Sequence, residues 1–168
     1  MPGTAYNVYK VQYPLGIQDP MMGNETRYHT VLCVERDVEK VGQVFHVTGD
    51  LVSGMSYERR DVDPSQTYHA KTYPGRICSE DYPERLEQVL QTVPPPHRQR
   101  AFNPKTMTTD QIKPDGSFYK ANEPRPPYIK CTEWIEQRAI PALYQHQLLH
   151  NDLEQASLGG KSNQAQAA

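Results

Sequence analysis

Fifteen prolines in a chain of 168 residues are the strongest constraint on its fold. Each fixes φ and removes a backbone donor, so helix interiors and central strands hold very few of them. At nearly twice ordinary usage they exclude an all-helical bundle and favour a sheet-bearing fold with extended connections. Eight lie between residues 94 and 127, a stretch poor in aliphatic side chains, which is expected to run over the surface rather than build a core. Hydrophobic residues amount to 36%, below the usual globular share, so the core should be modest and belong to one domain over residues 1–150. Residues 151–168 run through Gly159-Gly160-Lys161-Ser162 to a polar end and are expected to form a disordered tail.

Between the prolines, runs rich in β-branched residues and tyrosine mark strands. Residues 5–11, 28–35, 43–48 and 51–61 read as four strands, with Gly49-Asp50 suiting a tight connection between the last two. Residues 67–73 read as a fifth, confined to a sheet edge by Pro64 and Pro74. From Tyr82 the period becomes helical: Leu86, Val89, Leu90 and Val93 fall on one side, Pro83 suits a first turn, and Pro94 imposes a stop. A second helix opens at Cys131 and gathers Trp134, Ile135, Arg138 and Ala139 near it, until Pro141 kinks or restarts it. The expectation is an α+β fold, an antiparallel sheet of about five strands packed against two or three helices.

Eighteen basic and 20 acidic side chains leave a formal net charge of -2, which offers no positive field to nucleic acid. No run approaches the roughly 18 apolar residues of a membrane span, and the opening Met1-Pro2-Gly3-Thr4 does not read as a leader. A cytoplasmic location with neither nucleic acid nor membrane as partner is expected. Cys33, Cys78 and Cys131 are an odd set without Cys-x-x-Cys spacing, which argues against a disulfide framework and a zinc site. His146 and His150 stand at metal-ligand spacing, but no His-Glu-x-x-His pattern accompanies them, and no metal or cofactor is expected.

Cys131 sits where the proline-rich connection gives way to a helix. Its sulfur should meet unpaired backbone N–H groups and the positive end of the helix dipole, with Lys130 adjacent and Glu133 opposing, a setting that favours thiolate. A nucleophilic cysteine needs a base, usually a histidine held by a third polar group. His29 and His46 lie inside expected strands, His29 on the face of Val31 and Cys33, His46 on the face of Val44 and Thr48. Buried cysteines and hydrogen-bonded structural histidines are common, so position alone does not decide between packing and chemistry.

The order His, His, Cys, carried by His29-Thr-Val-Leu-Cys-Val-Glu, Gly42-Gln-Val-Phe-His46-Val and Cys131-Thr-Glu-Trp-Ile, resembles the circularly permuted branch of the NlpC-type papain-like superfamily, which includes the lecithin-retinol acyltransferases. The chain also looks like short fungal proteins that share the strand pair, the Leu-Glu-Gln-Val-Leu helix and a Cys-x-x-Trp helix. The resemblance implies a permuted papain-like domain with Cys131 as nucleophile, His29 as its base and His46 orienting His29. Those acyltransferases carry Asn before the cysteine and Glu-His after it, whereas this chain has Lys130 before and Thr132-Glu133-Trp134 after, a departure that weighs against a lipid acyl substrate.

Two functions are therefore expected to compete. One is a cysteine hydrolase or acyl transferase acting on an amide, ester or thioester of a small-molecule or peptide substrate. The other is a non-catalytic binding or scaffold module that uses tyrosines and the proline-rich connection to hold a small ligand or protein. An exposed strand edge would serve a homodimer in either case.

Overall fold

The computed structural model describes residues 3–36 and 42–151. Five antiparallel strands form the main sheet: β1 (Ala5–Pro14), β2 (Tyr28–Glu35), β3 (Gly42–Asp50), β4 (Gly54–Asp61) and β5 (Ala70–Cys78), in the order β4-β3-β2-β1-β5. Helix α1 (Glu84–Thr92) follows, then a two-stranded hairpin of β6 (Arg100–Asn103) and β7 (Thr108–Gln111). The described chain ends in a helical run of α2 (Cys131–Glu133), a π-helical segment (Trp134–Ala139) and α3 (Ile140–Gln145). The fold is α+β, as the alternation of strand and helix periods anticipates. Of the expected tail over residues 151–168, residues 152–168 lie outside the described residues.

Alternation along each strand sorts the sheet into two faces. Val8, Leu32, Val34, Phe45, Val47 and Ile77 pack with Leu86, Val89 and Leu90 of α1 and with Trp134, Ile135 and Leu143 of the final helices, forming the main core. Val11, Tyr13, Val31, Cys33 and Val44 form a smaller cluster on the opposite face. Helix α1 buries the side bearing Leu86, Val89 and Leu90, while Glu87 on its flank meets Arg59 at 2.6 Å and the Tyr57 hydroxyl at 3.2 Å.

Several expected boundaries change: the first strand runs on to Pro14, the third covers Gly42–Asp50, and the fifth begins at Ala70. The fourth strand starts at Gly54 rather than at 51, because Asp50 Oδ1 accepts from the backbone N–H groups of Val52 and Ser53 at 2.9 and 2.6 Å and spends residues 51–53 on the turn. The fifth runs on to Cys78 through Pro74, because the β1–β5 register slips between Val8 and Lys10 and leaves Pro74 in a bulge that needs no N–H. There Gly75 lies so close to the backbone of His150 that a Cβ would stand 2.4 Å from the His150 carbonyl oxygen, which accepts from Arg76 N–H at 2.8 Å. The proline-rich connection also holds regular structure that its composition does not announce. It carries the β6–β7 hairpin and docks on the β3–β4 turn through Gln99 and Arg100 N–H groups on the Leu51 carbonyl, at 2.8 and 3.0 Å.

Pro141 restarts the last helix. It has no N–H to give to the carbonyl of Gln137, and the π segment ends immediately before α3, where Pro141 occupies the first turn. Trp134, Ile135 and Ala139 of the π segment are fully buried against the sheet.

Candidate active site

The candidate residues gather where the sheet forks. Among the described residues β2 and β3 pair only from Leu32 with Phe45 to Glu35 with Gly42, yet β2 begins at Tyr28 and β3 continues to Asp50. Over the unpaired lengths each strand is held by its other neighbour, β2 by β1 and β3 by β4. A cavity of about 260 Å³ occupies the fork, bordered by Tyr28 and His29 of β2, Val47 and Thr48 of β3, and Lys130 and Cys131 at the helix start. Leu15, Ile17 and Met22 from the connection after β1, with Met55 of β4, give it an apolar rim.

The two sides of the sheet meet here. Cys131 belongs to the main core on the helix side, whereas His29 and His46 share the face of Val31, Cys33 and Val44. Elsewhere the paired strands would separate these groups completely. At the fork Cys131 and His29 border one space, and His46 stands behind His29.

His29 Nε2 and His46 Nδ1 are 2.7 Å apart, with the rings edge to face at 65°. Burial, then the His29 ring and Arg60, depress His46 to about 4, and burial with Arg60 also lowers His29 from its ordinary value. Desolvation penalises the charged imidazolium, so both rings are neutral near pH 7. The other nitrogen of His46, Nε2, is buried without a hydrogen bond among the described residues, and Glu58 Oε2 stands 3.7 Å from it across the β3–β4 pair.

The helix start is fixed by groups from three directions. Thr132 and Thr30 join hydroxyls at 2.7 Å, docking the first turn on β2. Arg27 grips Glu133 with two parallel contacts of 2.8 and 2.9 Å, and Glu133 Oε2 accepts from Lys130 N–H at 2.9 Å. Burial pushes the Glu133 carboxyl up, but hydrogen bonds from Arg27 and Lys130 outweigh it and hold the group below the usual carboxylate range. The charge expected to oppose a thiolate is thus matched by Arg27. The buried Gln99 amide clasps Ile129, accepting from its N–H at 2.8 Å and donating to its carbonyl at 2.7 Å, two residues before the cysteine.

The Cys131 thiol is buried and donates to the Tyr28 carbonyl at 3.9 Å; among the described residues no hydrogen bond joins it to either imidazole. Lys130 Nζ lies 3.9 Å from Asp19 at the cavity wall. Of the other cysteines, Cys78 is exposed, and Cys33 is buried on the far face, where burial raises its thiol to about 11.

Residues 15–150 match the model of a family of unknown function, DUF6540. The chain belongs to the DUF6540 family. The match spans every group of the fork, from Leu15 on the rim through His29 and His46 to Cys131. No curated protein and no solved structure gives a significant match. Among the described residues of this DUF6540 chain no group of three or more His, Cys, Asp or Glu could hold a metal ion, and no helix is long and apolar enough to cross a membrane.

Sequence reasoning passed over Arg27, Thr30, Gln99, Thr132 and Glu58, whose partners are remote along the chain. Only Glu133 carried a local signal, because an acid three residues into a helix commonly reaches back to the cap N–H.

Proposed function

We propose that this chain is a cysteine hydrolase or acyl transferase acting on an amide, ester or thioester, built on a permuted papain-like order in which the histidine strands precede the cysteine helix. The observation that carries this reading is the cavity at the fork, bordered by both Cys131 and His29, with His29 bonded to His46 from behind at 2.7 Å. A neutral base beside a thiol is what nucleophilic catalysis requires.

With His29 Nε2 engaged by His46, Nδ1 is the nitrogen left to act. It takes the Cys131 proton as sulfur attacks the substrate carbonyl, and the carbonyl electron pair becomes an oxyanion. In this reading the N–H groups of Cys131 and Thr132, which precede the first helical bond from Trp134 to the Lys130 carbonyl, donate to that charge. Collapse expels the amine, alcohol or thiol, which leaves with the proton from His29. Water, or an acceptor nucleophile, then attacks the thioester as it gives its proton to His29, and collapse releases the acyl group while the departing sulfur takes that proton back from His29, restoring the thiol and the neutral base. The apo thiol rests on the Tyr28 carbonyl, and such bonds commonly tighten toward the base only with substrate in place.

Timed alkylation with iodoacetamide, read by peptide mass, tests the pairing. Cys131 is expected to react ahead of Cys33, with exposed Cys78 as internal standard, and His29→Ala should slow Cys131 by about tenfold or more. Equal Cys131 rates in the two proteins would count against a nucleophile and base pair, leaving the cavity as a binding site.

A further inference from the structure

The 2.7 Å contact between His29 Nε2 and His46 Nδ1 holds one proton, and which ring owns it decides whether His29 can be a base. If His46 Nδ1 carries the proton, His29 receives it at Nε2 and, being neutral, holds its own proton at Nδ1, with no lone pair for a thiol. If His29 Nε2 carries it, Nδ1 of His29 is free, and His46 must carry its proton at Nε2. Geometry within the pair does not choose between the two. The surroundings of His46 Nε2 do.

That nitrogen is buried on a side chain only 4% exposed and, among the described residues, has no hydrogen-bond partner, while the Glu58 carboxylate Oε2 stands 3.7 Å away. A lone pair at His46 Nε2 would face this carboxylate, whereas an N–H would be attracted to it. Glu58 is half-exposed, directly opposite His46 in the β3–β4 register, and its Oε2 accepts from the Thr48 hydroxyl at 3.4 Å. Thr48 itself borders the cavity at the fork. Arg60, two residues along the same strand and on the same face, is the cation that acts on both rings, and Lys130 adds to it at His29.

We propose that Glu58 is a positioning residue: it holds the proton of His46 on Nε2, which places that of His29 on Nε2 and leaves His29 Nδ1 open toward the cavity. The assignment rests on the proposed catalytic reading only for its consequence at Cys131; the tautomers exist with or without catalysis. A shift of the carboxylate by less than 1 Å turns the 3.7 Å approach into a hydrogen bond. The chain His29, His46, Glu58 then does for a cysteine what a carboxylate does for the histidine of other nucleophilic sites, fixing tautomer and ring orientation without touching substrate.

The test is long-range proton–nitrogen correlation NMR on the full-length chain at pH 7.5, which reports the protonated nitrogen of each neutral ring. The wild type is expected to show Nε2–H at both His46 and His29. Glu58→Ala should move both rings toward Nδ1–H and lower the alkylation rate of Cys131 about tenfold, while Glu58→Asp, which keeps the charge, should retain part of the wild-type pattern. Urea midpoints within error of one another confirm that the variants are folded. Nδ1–H at His46 in the wild type overturns the proposal, as do tautomers that stay put in Glu58→Ala. If the tautomers follow Glu58 but Cys131 ignores His29→Ala, the positioning of the ring pair stands and the catalytic reading is what fails.

Discussion

Acidification should destabilise this protein through His46 before it protonates most carboxylates. In the unfolded chain His46 titrates near the ordinary value of about 6.5, while in the folded chain burial, the His29 ring and Arg60 hold it at about 4. The unfolded state therefore takes up a proton that the folded state refuses. The sign follows: the contribution of His46 is intact above about pH 6.5 and drains away as pH falls toward 4. Between pH 7 and pH 5 a depression of that size corresponds to about 2 kcal/mol of lost stability. His29, lowered by burial and Arg60, adds in the same direction. With a urea dependence of about 1–3 kcal/mol per molar, the midpoint should fall by roughly 1 M over those two pH units. His46→Asn supplies the comparison, since its amide oxygen still accepts from His29 Nε2 but cannot titrate. Its midpoint should be lower at pH 7 and much less sensitive to pH, and carboxylates such as Glu133 contribute equally to both chains. Equal pH sensitivity in wild type and His46→Asn would refute the claim that this ring is held neutral by its burial.

Other substitutions probe how the site is built. Thr132→Val leaves the fully buried Thr30 hydroxyl without its 2.7 Å partner and should cost about 1–3 kcal/mol in urea unfolding. Leu90→Ala, at a fully buried position between α1 and the sheet, should cost about 2–5 kcal/mol, with a lower thermal midpoint as the readout. Gly75→Ala forces a Cβ against the His150 carbonyl and should release the segment around His150 from β5, seen as faster amide exchange at Arg76 and His150, the two bridged residues.

What the sequence revealed of this molecule was what repeats locally. The runs at 28–35 and 43–48 declare themselves because β-branched and aromatic side chains suit a pleated surface, and α1 because Leu86, Val89 and Leu90 recur at helical intervals. β6 and β7 stayed hidden because Arg-Ala-Phe-Asn and Thr-Thr-Asp-Gln are four residues each and carry almost no apolar alternation. Pro74 hid the length of β5, since a bulge that dispenses with its N–H is set by the neighbouring strand and not by the proline.

The site divides in the same way. Residue type nominates Cys131, His29 and His46, and their order suggests a family of chemistries. The fork that lets groups from opposite faces share a cavity is a property of pairing between β2 and β3, and no local pattern announces where that pairing stops. Arg27 with Glu133 lies 106 residues apart along the chain, and Thr30 with Thr132 lies 102 apart. Such contacts are legible only once the helix has been docked on the sheet.

The most direct measurement is intact-protein and peptide mass spectrometry after brief exposure to p-nitrophenyl acetate, an activated ester small enough for the cavity at the fork. The account predicts an acetyl group on Cys131 that appears with the nitrophenolate burst, decays as water resolves the thioester, and forms far more slowly in His29→Ala. An acetyl group that never reaches Cys131, or reaches it equally fast without the His29 imidazole, would contradict the claim that these two side chains work as nucleophile and base.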